Sequence, residues 1–136
     1  MLDIFTYILA GVAGISLFVS AIMILTVLYI SVVERTQEIG VIKAIGGRNK
    51  DIRRIFVSES FLIGLFSGLL GVGIAALLST IGNVAVERIF GTTILHMTPT
   101  YALLGILASV IISVIAGVFP ANKAAKLDPI EALRHD

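Results

Sequence analysis

Glu34, Arg35, Glu38, Lys43, Arg48, Lys50, Asp51, Arg53 and Arg54 crowd one short stretch of a chain that has only ten basic and nine acidic residues in all. Such side chains can move protons, hold phosphate or recognise another surface. A phosphate loop needs the order G-x-x-x-x-G-K-[ST], which brings backbone amides and a lysine onto one phosphate chain. The segment GGRNKD, residues 46–51, has glycines and a lysine at the wrong spacing. Cysteine is absent, so thiolate metal sites and disulfides are excluded. The two histidines, His96 and His135, lie in different loops and form no donor cluster. The sequence therefore predicts no catalytic residue, no metal and no cofactor, and leaves recognition by charge and shape.

The elements that must position these charges are apolar. The chain of 136 residues is 57% hydrophobic and 14% charged, against about 25% charged in an ordinary soluble domain. Three uncharged runs, Ile4 to Val33, Ser60 up to Glu87, and Thr98 to Asn122, each exceed the roughly 18 residues of a spanning helix. Too little chain remains to bury three such runs in a soluble core. The first run lacks the basic n-region of a signal peptide and is too long for its apolar segment. The fold class is all-α integral membrane, one domain over residues 1–136. Its spanning helices are expected at about 4–33, 52–81 and 100–119, with a charged connection at 34–50 and a tail at 120–136.

Charge sets the topology. The connection carries Arg35, Lys43, Arg48, Lys50, Arg53 and Arg54, and the tail carries Lys123, Lys126 and Arg134, whereas the loop between the second and third spans has only Arg88. Basic residues in short loops stay on the cytoplasmic side, and the two basic segments are separated by two spans. Both are therefore expected inside, with the N-terminus outside. Tyr7, Tyr29 and Tyr101 fall at helix ends, where an apolar ring with a polar tip suits the interface. The first run is longer than a bilayer is thick, and its excess is expected to project at the outer end, as a chain missing a preceding part would leave it.

In lipid, small residues mark helix contacts because backbones can approach there. Gly105, Ser109, Ser113 and Gly117 recur every fourth residue, and Gly64 and Gly68 form a G-x-x-x-G continued by Gly71, Ala75 and Ser79. The second and third spans are expected to pack tightly through these positions. No charge lies near the middle of a span, so no ion or proton relay is expected. Glu59, near the inner interface, is expected to snorkel or to pair with Arg53 or Arg54.

Residues 34–45 can continue the first helix until Gly46-Gly47 stops it. Asn49 can cap the next helix, with Asp51 near its positive end. Ile39, Ile42 and Ile45 are expected to face the membrane or a partner. The basic residues from 48 to 54 are explained by topology and anionic lipid, and helix pairs such as Arg35–Glu38 or Asp51–Arg54 compete for the charges. The acidic residues and the fixed apolar pattern of 34–47 point to a protein surface instead.

VVERTQEIGVIKAIGGRNKDIRRIFVSESFLIGL, residues 32–65, closely resembles the cytoplasmic segment of the FtsX/MacB-type ABC transporter permeases. FPANKAAKLDPIEALRHD, residues 119–136, is similar to the end of the family's last helix and its tail. The two motifs are correctly ordered and separated by two spans. The family has four spanning helices, with a large outer domain between the first and second, so the resemblance implies that this chain supplies helices two to four. It also implies a permease dimer, homomeric or heteromeric, working in the cell membrane beside a cytoplasmic ABC ATPase that binds the ATP. Such permeases relay ATP-driven motion to the outer side for export or signalling. Residues 34–46 would be the coupling segment, with Glu34, Arg35, Thr36, Glu38, Lys43 and Ala44 in contact with the ATPase and Gly40 and Gly46 allowing close approach and the corner.

Other partners are membrane lipids, and no nucleic acid is expected. In the tail, Pro120 is expected to end the third helix, and Asp128 to cap a short helix over 130–134. That tail either anchors on the membrane surface or touches the ATPase or the coupling segment. The alternative to a permease is a self-contained three-helix scaffold or regulator, oligomerising through its small-residue faces without an ATPase.

Overall fold

The computed structural model describes residues 2–91, 98–128 and 132. The described chain is helical, with no strand: α1 (Leu2–Glu34), α2 (Thr36–Ala44), α3 (Asn49–Phe90) and α4 (Pro99–Ala125). Three of these, α1, α3 and α4, are long and apolar enough to cross a membrane. Of the expected helix at 130–134 only Ala132 is described, its backbone amide donating to the Asp128 carbonyl at 2.9 Å, and both histidines lie outside the described residues.

The extents of α3 and α4 differ from expectation. α3 starts at Asn49 and runs for 42 residues, well past position 81. Its N-cap is Arg48, one residue before the expected Asn49. Arg48 makes no side-chain cap; its backbone amide donates to Asp51 Oδ2 at 3.3 Å. Asp51 thus occupies the third helical position, where a carboxylate meets both a free amide and the positive helix end. α4 passes through Pro120 and ends at Ala125. A proline inside a helix removes one amide donor, yet Pro120 is buried and the helix continues. The alanines that follow it allow close packing on both neighbours.

α3 and α4 form the principal pair, antiparallel and in one register. Ser60 meets Gly117, Gly64 meets Ser113, Gly68 meets Ser109, and Val72 meets Gly105. A methyl group at Gly64 would lie 2.8 Å from Val110 Cα, and one at Gly68 would lie 3.1 Å from Ile106 Cα. Across the same seam Ser113 Oγ donates to the Ser60 carbonyl at 2.5 Å and Ser109 Oγ to the Gly64 carbonyl at 2.9 Å. Small residues bring the backbones close enough for hydroxyls to reach main-chain carbonyls across the gap. Each such bond is worth about 0.6 kcal/mol in a membrane bundle.

α1 leans on α4 at one end only. Leu28 and Val32 are buried, whereas residues 3–20 are exposed along their whole length. Leu28 approaches the Gly117 position, where an added methyl would lie 3.2 Å from Leu28 Cδ1. The apolar core sits at this same end: Val32, Ile39, Ile52, Phe56, Ala121, Ala124 and Ala125, with Ile42, Val57 and Leu127 packed around them. All four helices contribute to it.

Candidate functional site

The site is α2 and the two corners that hold it. α1 ends at Glu34 and the backbone breaks at Arg35 (φ −98°, ψ 18°), so the expected continuous helix is two helices. Thr36 Oγ1 sits within bonding reach of the Val33 and Val32 carbonyls, at 2.8 and 3.1 Å. These are carbonyls near the end of α1 that the break exposes, and a hydroxyl is a compact donor for them. Thr36 is therefore occupied within the chain.

The other corner is made by two glycines. Gly46 N–H donates to the Lys43 carbonyl at 3.0 Å and Gly47 N–H to the Ile42 carbonyl at 2.9 Å. This is the Schellman pattern, which needs a positive φ at its first glycine, and Gly46 has φ +99°. Gly47 is needed for a different reason: a methyl there would lie 2.6 Å from the Ile42 carbonyl oxygen.

Between the corners, α2 has two faces. Ile39, Ile42 and Lys43 share one face by helical spacing. Ile39 is buried and Ile42 is partly buried in the core, which corrects the expectation that both face membrane or partner. The physical reason is the alanine patch of α4, whose small side chains leave room for them. Only Ile45 stands free, 82% exposed. Gln37, Glu38, Val41 and Ala44 are exposed beside it, as are Glu34, Arg35 and Gly46, while Gly40 is buried.

Lys43 is turned inward. Its Nζ donates to the Ala125 carbonyl at 2.8 Å and to the Leu127 carbonyl at 2.6 Å. A helix end leaves carbonyls unpaired and carries partial negative charge. An ammonium with three donors answers both, for about 1 kcal/mol. The neighbouring Lys123 and Ala124 carbonyls accept from the backbone amides of Lys126 and Leu127. α4 thus ends without a glycine, its terminal carbonyls held partly by a lysine of another helix.

Further charged groups tie the same end together. Arg35 Nη1 lies 3.9 Å from Glu59 Oε2 on α3; the expectation for Glu59 is snorkelling or a pair with Arg53 or Arg54, and its ion-pair partner is Arg35 instead of either. Both groups are substantially exposed, so the pair is worth about 1 kcal/mol at most. Lys123 Nζ lies 2.5 Å from Tyr29 Oη and 4.4 Å from its ring centroid, joining α4 to α1. Beside them opens a groove of about 700 Å³ lined by Tyr29, Val33, Glu34, Gln37, Lys123 and Asp128, among others.

Of the small residues expected to pack, Gly64, Gly68, Ser109, Ser113 and Gly117 meet in the α3–α4 seam and Gly105 lies at its margin. Gly71 has nothing within 4 Å of the position a methyl would take. The seam continues through Val72 because its members recur every fourth residue. The sequence reading missed Ser60, whose signal was present: it lies four residues before Gly64.

Ser109 and Ser113 apart, which donate across the seam, several span hydroxyls are satisfied within their own helices. Ser16, Ser20, Thr26 and Thr80 donate to carbonyls about one turn back in their own helices. Ser67 does the same to the Ile63 carbonyl. Such bonds remove the cost of a polar group in an apolar medium.

A family pattern described as FtsX-like permease C-terminal matches residues 10–129. The uncharacterized ABC transporter permease YknZ of Bacillus subtilis is 41% identical over 98% of this chain, which covers 32% of that protein. An uncharacterized ABC transporter permease of Methanocaldococcus jannaschii is 37% identical over 98% of the chain and 34% of its own length. The macrolide export ATP-binding/permease protein MacB of Psychrobacter cryohalolentis is 37% identical over 96% of the chain and 19% of its own length. The chain therefore spans about a third, or less, of the curated relatives it matches. With three apolar helices and nearly its whole length inside the pattern, this membrane protein belongs to the FtsX-like permease C-terminal family of the ABC transporter permeases.

Proposed function

We propose that the chain is the C-terminal membrane portion of a cell-membrane ABC permease that relays movement of a separate cytoplasmic ATPase to the outer side. α2 and the end of α4 face the cytoplasm in this reading, and the start of α1 faces outward. The observation that carries it is the two-faced α2. Its inner face is built into the core through Ile39 and Lys43, and its outer face presents Gln37, Glu38, Val41, Ala44 and Ile45. A helix so mounted can take up a push from a partner and pass it to α3 and α4. Arg48, Lys50, Arg53 and Arg54 beside it favour the cytoplasmic side. Hydroxyls taken up by main-chain carbonyls of the bundle fit transmission of motion better than a polar pore.

The docking surface comprises the exposed residues Glu34, Arg35, Glu38, Ala44 and Gly46 together with Val41 and Ile45. Lys43 and Thr36 support it from behind. The small-residue seam of α3 and α4 is used within the chain, which leaves the scaffold alternative only the small residues outside it, such as Gly11, Gly14 and Gly71. Dimerisation with a second permease copy is proposed for the exposed length of α1.

The test is the pair Glu38→Lys and Ile45→Glu in the full-length permease. The fraction of ATPase that co-purifies should fall at least about tenfold, the loss expected on removing about 1.4 kcal/mol or more of contact, while membrane insertion is unchanged. Retention of the ATPase at the wild-type level would show that α2 is not where it docks.

A further inference from the structure

We propose that Lys43 is a positioning residue that latches α2 to the C-terminal end of α4, so that displacement of α2 is delivered to the α3–α4 pair. The two ends of α2 are attached in different ways. Toward α1 the helix is interrupted at Arg35, where the Arg35 N–H still donates to the Ser31 carbonyl and the Ile39 N–H to the Arg35 carbonyl, each at 3.1 Å, and Thr36 closes the end of α1 with a side-chain bond. Toward α4 the link is charge-assisted and two-pronged, from Lys43 Nζ to the Ala125 and Leu127 carbonyls. The sequence separation across that contact is large, so it joins segments that nothing local holds together. Ile39, one turn before Lys43 on the same face, seats in the core with Ala121, Ala124 and Ala125. The apolar seat fixes where α2 lies, and the ammonium sets its orientation about that seat, because carbonyls at a helix end accept from a limited set of directions. α4 in turn cannot slide along α3, since Gly64 and Gly68 interlock with Ser113, Ser109 and Ile106. A push on α2 therefore reaches α4 through Lys43 and α3 through the seam.

The activity arm of the test rests on the permease reading, and the structural arm does not. This chain has no cysteine, so once any cysteine elsewhere in the full-length protein is replaced by serine, spin labels at Ala44→Cys and Lys126→Cys, both exposed positions, report α2 against the end of α4. In the full-length protein in lipid nanodiscs the distance distribution should be single and narrow. Lys43→Met, which keeps the length and removes the donors, should broaden it at least about twofold, and Lys43→Arg, which can still donate to two carbonyls, should restore it. In vesicles with the ATPase, transport per ATP hydrolysed should fall about fivefold in Lys43→Met, within the range for loss of one coupling contact, and recover in Lys43→Arg. An unchanged distance distribution in Lys43→Met overturns the latch. A broadened distribution with unchanged transport per ATP overturns its role in transmission. If the wild-type protein assembles with no ATPase, the permease reading fails, and the distances still decide the latch.

Discussion

Glu38 and Lys43 lie on the same short helix, carry opposite charge and do different work. Glu38 is exposed, while Lys43 spends its ammonium on the carbonyls at the end of α4. The glycines divide in the same way. Gly64 faces the backbone of α4 with no room for a methyl, and Gly71, two turns on, faces open space. Gly64→Ala should cost about 1–3 kcal/mol, as overpacking does, seen as a lower unfolding temperature in detergent. Gly71→Ala should leave that temperature unchanged or raise it slightly, because alanine is the better helix former. Equal effects at the two positions would mean that the seam does not run where the structure places it.

At the scale of the element, α2 is a helix of nine residues, too short to persist alone in water. It stands because a corner closes each end and Ile39 anchors its middle. Ile39→Ala should destabilise the protein by about 2–5 kcal/mol, the usual range for emptying a buried aliphatic site. Ile45→Ala, at an exposed position, should stay within about 0.5 kcal/mol; thermal unfolding of the two purified variants separates them. Gly46→Ala forces a side chain into a backbone region with positive φ and should cost about 1–2 kcal/mol. Its further consequence is a looser corner between α2 and α3, readable as faster proteolysis after residues 48–50.

For the whole molecule, the packing is graded from one end to the other. Four helices meet around Ile39, Ile52, Phe56 and Ala124, while α1 leaves α4 over its first half. This asymmetry suits the proposed relay, which would need a firm input end and an output end with freedom to move. The proposed orientation is open to a direct check. Lys50→Cys should react with a membrane-impermeant thiol reagent only in inside-out vesicles, and Arg88→Cys only from the outside of intact cells. The reverse pattern would place α2 outside and remove it from the reach of any cytoplasmic ATPase. Length beyond a bilayer is not peculiar to α1, since α3 is longer still.

By itself the sequence determined the class of the molecule, because three long uncharged runs leave water no way to solvate them and a helix is what satisfies their backbone. It also marked the seam, since spacing by four puts Gly105, Ser109, Ser113 and Gly117 on one face whatever the neighbour. It marked the corner too, because only glycine takes the positive φ of Gly46 without strain. What it could not decide was which neighbour each face meets. Ile39 and Ile45 are the same residue on the same helix, and one is core and the other surface because α4 offers an alanine patch to the first alone. Lys43 and Lys50 are chemically alike, yet only Lys43 finds the unpaired carbonyls of α4, a partner far away in sequence. Local spacing records faces and breaks; partnership across helices is a property of the packed bundle, and only the tertiary structure decided it.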